Sequence, residues 1–173
     1  MLDISALRYK PILQIPAVII TLGLMWLVPF LLHLIPFTGI IPLGARLLPI
    51  FYAPLLAAWF FHPTVGIFSS LLMPFINHAF TGMPTFNVAV MVSVELCVFS
   101  LVLMIYKNRY PRLPLVAFFA VISGKIVSSL LLFFIALVPL SPQEYFISSI
   151  VNAIPGLLVI VVINLVLKRL SDN

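Results

Sequence analysis

Most of this chain lies in long uncharged apolar runs, interrupted by short clusters of Pro, Gly, Asn and basic residues. About 20 consecutive apolar residues span a bilayer as a helix. Strands of an outer-membrane barrel would read apolar and polar in turn, and no such alternation runs along the chain. The pattern predicts six apolar helices at 12–34, 47–61, 64–76, 88–106, 113–138 and 145–167. The second and third are short, and Pro49, Pro54 and Pro74 predict that they bend and pack within the bundle. Connections are predicted at 35–46, which carries Pro36, Gly39, Pro42 and Gly44, and at His62-Pro63, where the proline favours a reversal. Residues 77–87, NHAFTGMPTFN, read as the most polar and turn-rich stretch. The expected fold is all-α: a polytopic membrane protein with six transmembrane helices in one bundle, and residues 1–173 as one domain.

Composition sharpens this reading. The chain is 64% hydrophobic and only 8% charged, against about 25% charged for an ordinary soluble domain. The net charge of +5 does not point to nucleic acid, because the basic residues collect at the ends of apolar runs. Arg8 and Lys10 precede the first run, Lys107, Arg109 and Arg112 follow the fourth, and Lys168 and Arg169 follow the sixth. The bias of Lys and Arg toward the cytoplasm then places both termini inside and favours an even number of crossings of the inner, cytoplasmic membrane. Arg46 and Lys125 are the two exceptions. The first run is long and lacks a small-residue cleavage site, so it reads as a retained helix and not as a signal peptide. A single cysteine, Cys97, permits no disulfide within the chain.

Candidate chemistry rests on residues that do not belong in lipid. Glu95 falls in the middle of the fourth run and Lys125 in the middle of the fifth, where a charge costs about 2.5–3.5 kcal/mol on insertion scales. They line a polar site reached from outside, or they pair with each other to join two helices, and the two roles are compatible. Arg46, at the mouth of the second helix, is suited to a carboxylate or to snorkelling at the interface. Asn77, His78 and Asn87 bracket the TGMP turn, as ligand contacts or as turn formers. Asn152, with Ser148 and Ser149 one turn above it, presents polarity to the bundle for ligand or for interhelical bonding. Ser123, Gly124, Ser128 and Ser129 are small neighbours of Lys125. Ala17, Thr21 and Gly23 form a small-residue face on the first helix, for a partner or for packing within the chain. His33 and His62 lack metal-ligand companions at helical spacing. No nucleophile elbow, paired carboxylates, HExxH or phosphate loop is present, and the chain is not expected to be an enzyme or to carry a cofactor.

The order of these features carries a resemblance. A turn-rich first connection is followed by PLGARLLPIFYAPLLAAWFFHPTVGIFSSLLMPFINHAFTGMPT and then by VAVMVSVELCVFSLVL, a helix with a glutamate. This resembles the substrate-binding S components of energy-coupling factor (ECF) transporters, small six-helix bacterial proteins of vitamin uptake. The resemblance implies a reversal between helices two and three, here His62-Pro63 with Gly66, and a small-residue and proline break in the last helix, here 152–156. It also implies a vitamin site toward the outside among helices four to six, to which Glu95, Lys125, Asn152, Arg46, Asn77, His78 and Asn87 would contribute. A carboxylate-bearing vitamin such as pantothenate would suit Arg46 and Lys125. Implied partners are a membrane coupling subunit and two ATPase subunits on other chains, docking on helix one. The family surface carries alanines four apart, and here Ala17 is followed by Thr21. The layout is also similar to that of the MreD cell-shape scaffolds, which need no pocket. An ion-coupled transporter acting alone, with Glu95 as its proton site, is the third reading.

Overall fold

A computed structural model describes residues 14–35, 46–109 and 115–171. The regular structure of the described residues is all helical, with no strand among them. The helices are α1 (Gln14–His33), α2 (Tyr52–Phe60, entered through a 3-10 turn at Pro49–Phe51), α3 (Pro63–Thr81), α4 (Phe86–Arg109), α5 (Val116–Leu131) and α6 (Pro142–Ser171). Three of them, α1, α4 and α6, are long and apolar enough to cross a membrane. The six expected helices therefore exist, but the six expected spans do not follow from their lengths. Pro49–Phe60 is short, and at 1.5 Å per residue it covers only about 18 Å of a hydrocarbon core about 30 Å thick.

Several expected boundaries moved, each for a local reason. α3 runs five residues past Ile76. Thr81 Oγ1 donates to the Asn77 carbonyl at 2.7 Å, and the left-handed Gly82 (φ 70°) stops the helix while its N–H bonds the His78 carbonyl. Asn77 and His78 thus sit in the last turns of a helix, and the reversal is confined to 82–85. α5 stops at Leu131, not Val138, because 132–135 unwinds into turns bonded back to residues 129–131. α6 starts at Pro142, not Tyr145, behind a capping box in which the Ser141 N–H and hydroxyl donate to Glu144 Oε2 at 2.9 and 2.8 Å. The expected break at 152–156 is absent, and α6 is continuous through Pro155. Pro54 falls in the first turn of α2, where its missing N–H has no helical partner to lose. Residues 1–13, 36–45, 110–114 and 172–173, including Arg8, Lys10, Arg112 and the glycines and prolines of the first connection, lie outside the described residues.

Contacts between helices fix their relative directions. Thr64 on α3 reaches Gln14 on α1, and Met73 and Phe80 share a groove with Leu22 and Trp26, so α1 and α3 run parallel. Ser93 bonds the Leu71 carbonyl while Cys97 meets the Ile67 carbonyl, so α3 and α4 are antiparallel. Leu47 lies against Gly156 and Trp59 against Asn164, so α2 runs parallel to α6. One end of the bundle therefore gathers the starts of α1 and α3 with the ends of α2, α4 and α6, including Lys168 and Arg169.

Besides an apolar core, the interior holds many polar groups while large apolar side chains face outward. Thr21, Ser69, Ser70, Ser93, Glu95, Ser100, Lys125, Ser128, Ser129 and Asn164 are buried, while Ile15, Phe80 and Leu158 are exposed. A helix hydrophobic all round suits lipid or a protein core and not water. An aliphatic and aromatic core around Met25, Phe51, Leu96, Phe99 and Ile160 fills the space between the helices.

Candidate functional site

α4, α5 and α6 meet at one carboxylate. Glu95 lies nine residues beyond the start of α4, about 14 Å along it at the helical rise. Its Oε2 accepts from Lys125 Nζ at 3.3 Å, and its Oε1 accepts from the Ser128 hydroxyl at 2.9 Å and from the Tyr145 hydroxyl at 2.8 Å. Lys125 and Ser128 are three positions apart on α5 and so share a face. Tyr145 reaches the site because the capping box starts α6 early enough to make it part of the first turn. Glu95 and Lys125 are each 4% exposed. This ion pair is the one found among the described residues.

Close backbone approach makes the pair possible. A Cβ at Gly124 would fall 2.7 Å from the Glu95 carbonyl oxygen, so a larger residue there forces α4 and α5 apart. Ser129 returns its hydroxyl to the Lys125 carbonyl at 2.7 Å, which leaves the single Ser128 proton for Glu95. Isolated buried charges are costly, and removing one member of a pair leaves the other uncompensated. The two serines, the tyrosine and the ion pair thus form a closed polar group.

The other expected site residues lie elsewhere. The Arg46 backbone carbonyl is packed where Gly156 lacks a side chain, 2.7 Å from an imagined Cβ. Gly156 is eleven residues beyond Tyr145 on α6, about 16 Å along the axis. Asn77, His78 and Asn87 sit at the α3–α4 reversal, a helix segment away from Glu95. His78 Nδ1 is 2.8 Å from the Pro84 carbonyl, so Nδ1 carries the proton, and the ring meets Phe86 edge-on. Asn152 is half-buried, two turns past Tyr145 on a similar face of α6. The hydrogen bonds around Glu95 include none of these residues. On α1, Ala17 and Thr21 are buried within this chain, Ala17 beside Ala57 and Val65, while Gly23 is exposed. The His62 ring caps α3 by accepting from the Thr64 N–H.

Two partners of Glu95 escaped the sequence reading. Tyr145 was visible only as the start of an apolar run, although the Ser-Pro-Gln-Glu before it is a capping signal. Ser128 stood out for its small size and not as a donor. A second polar contact was missed altogether: Trp59 Nε1 donates to Asn164 Oδ1 at 3.2 Å, tying α2 to α6. Beside the Glu95 group, a cleft of about 200 Å³ lies between Ile126, Ser129 and Leu130 of α5 and Pro142, Gln143 and Phe146 of α6. A groove of about 510 Å³ between α1 and α3 is apolar, and neither helix supplies a group to Glu95. No group of three His, Cys, Asp or Glu side chains able to hold a metal occurs among the described residues.

Comparison of the chain with protein-family models, with curated proteins and with solved structures finds no match in any of the three.

Proposed function

We propose that this chain is a substrate-capture subunit of bacterial micronutrient uptake, of the S-component type, working in the cytoplasmic membrane with a coupling subunit and two ATPase subunits on other chains. The observation that carries the proposal is the convergence of α4, α5 and α6 on Glu95, Lys125, Ser128 and Tyr145. Groups this polar are retained inside an apolar bundle for pairing, for a ligand or for both. The parallel and antiparallel relations of the helices support alternate crossings in a six-segment bundle. The gathering of Lys168 and Arg169 with the starts of α1 and α3 supports a cytoplasmic assignment for that end. Ala17 and Thr21 serve packing within the chain, so a coupling subunit would meet the outward residues of α1, among them Gly23, Ile19 and Ile20.

The test is a thermal-stability screen of the purified protein in detergent against a panel of vitamins, repeated with Lys125→Met. A true ligand raises the wild-type midpoint in proportion to occupancy and acts only at higher concentration on the variant, which lacks one donor of the site. One observation favours the scaffold reading instead: every oxygen of Glu95 already has a partner from its own chain. If no small molecule stabilises the protein and a cell-wall factor co-purifies with it, the capture proposal fails in favour of an MreD-like scaffold.

A further inference from the structure

We infer that the ligand captured at the Glu95 group carries no net charge, an inference that rests on the capture reading above. Glu95 and Lys125 are 3.3 Å apart and both buried. Their charges sum to zero whether the shared proton sits on the amine or on the carboxyl. A carboxylate ligand that took Lys125 would leave two carboxylates competing for one ammonium in a desolvated interior. A cationic ligand that took Glu95 would leave two cations there. A neutral polar molecule, or a zwitterion, meets neither obstacle. It can accept from Lys125 or Tyr145 and donate to Glu95 while the sum stays zero.

Among the described residues, Lys125 is the one cation bonded to Glu95. The Arg46 backbone lies beside Gly156, about 16 Å along α6 from Tyr145, and Lys168 and Arg169 are at the far end of the same helix. Glu144, next to Tyr145, adds a second carboxylate at the near end, where it is held by Ser141. The route of entry is also constrained. Gly124 is already in contact with the α4 backbone, so α4 and α5 have no room to part around a ligand without breaking that contact. Tyr145 is the one partner of Glu95 supplied by α6, and Gln143 and Phe146 from the same first turns line the nearby cleft.

The experiment uses the full chain in detergent and matched pairs of compounds that differ only at the acid: nicotinate and nicotinamide, pantothenate and panthenol, biotin and biotinamide, lipoate and lipoamide. Thermal midpoints are titrated for each compound. The uncharged member of the recognised pair is expected to act at a concentration at least about tenfold lower than its acid. Glu95→Gln, which leaves one net positive charge, reverses that order. If Glu95→Gln does not fold, Lys125→Met carries the same test, because its net negative charge weakens the acid more than the uncharged member. Equal potency of the two members, or preference of the wild type for the acid, overturns the inference and leaves capture standing. If no member of any pair stabilises the wild type, while other vitamins also fail, the capture reading falls and takes this inference with it.

Discussion

On one flank α4 faces α3 through uncharged groups: the hydroxyls of Ser70 and Ser100 share a 2.9 Å hydrogen bond, Ser93 donates to the Leu71 carbonyl at 3.0 Å, and Cys97 meets the Ile67 carbonyl. On its other flank it faces α5 through the Glu95–Lys125 pair, with Tyr145 of α6 completing the set. The two seams join the same helix to its neighbours by different means. Each contact of the first is local and replaceable, because a hydroxyl that loses its partner can turn to a carbonyl of its own helix. The second is collective, because every group in it offsets a charge, and losing one exposes the others.

Variants of the two seams should therefore differ in size and in additivity. The largest effect is expected for Glu95→Gln or Lys125→Met alone, each costing about 3–5 kcal/mol by leaving one charge unpaired. The double variant Glu95→Leu with Lys125→Met should recover most of that loss, as read by reversible unfolding in mixed micelles. Losses that simply add in the double variant, with Glu95→Leu as the matching single, would show that the pair does not act as a unit. Next comes Gly124→Ala, whose Cβ meets the Glu95 carbonyl at 2.7 Å. It should cost about 1–3 kcal/mol by overpacking, and a thermal midpoint equal to wild type would refute the close approach. Tyr145→Phe removes one donor while Ser128 still serves the same oxygen. A loss of about 1–2 kcal/mol is expected, together with faster hydrogen exchange in the first turns of α6. Smallest is Ser70→Ala combined with Ser100→Ala, at about 0.6 kcal/mol, the usual size of an interhelical hydrogen bond in a membrane protein. A loss as large as that of the charge variants would erase the distinction between the seams.

The same contrast explains what was legible in the sequence. Glu95 and Lys125 stand out as charges within apolar runs, and their cost in lipid left two readings open, a ligand site or an ion pair between helices. The six helices were equally legible, because Pro, Gly, Asn and basic clusters punctuate the apolar runs. Boundaries were less so. The sequence reading ended α3 at Ile76 because Asn77 and His78 look like turn formers, yet Thr81 and Gly82 provide the actual stop. Tyr145 and Asn164 were invisible as partners, since their bonds join residues 50 and 105 positions apart. Their polar atoms are ordinary within a helix and acquire meaning only from what lies opposite.

Composition and run length alone thus determined that this chain is helical, with helices apolar enough for a bilayer, and that two buried charges need explaining. These follow from local terms: the apolar content of each run and the desolvation of a single side chain. Only the tertiary structure decided that Glu95 is shared among three helices and that Arg46 is not among its partners. The same holds for Ala17 and Thr21, which turn inward, and for Gly124 and Gly156, where a neighbouring backbone comes too close for a Cβ. Such facts depend on the rotation and depth of one helix against another. Those are set by packing over the whole interface, which no single segment encodes.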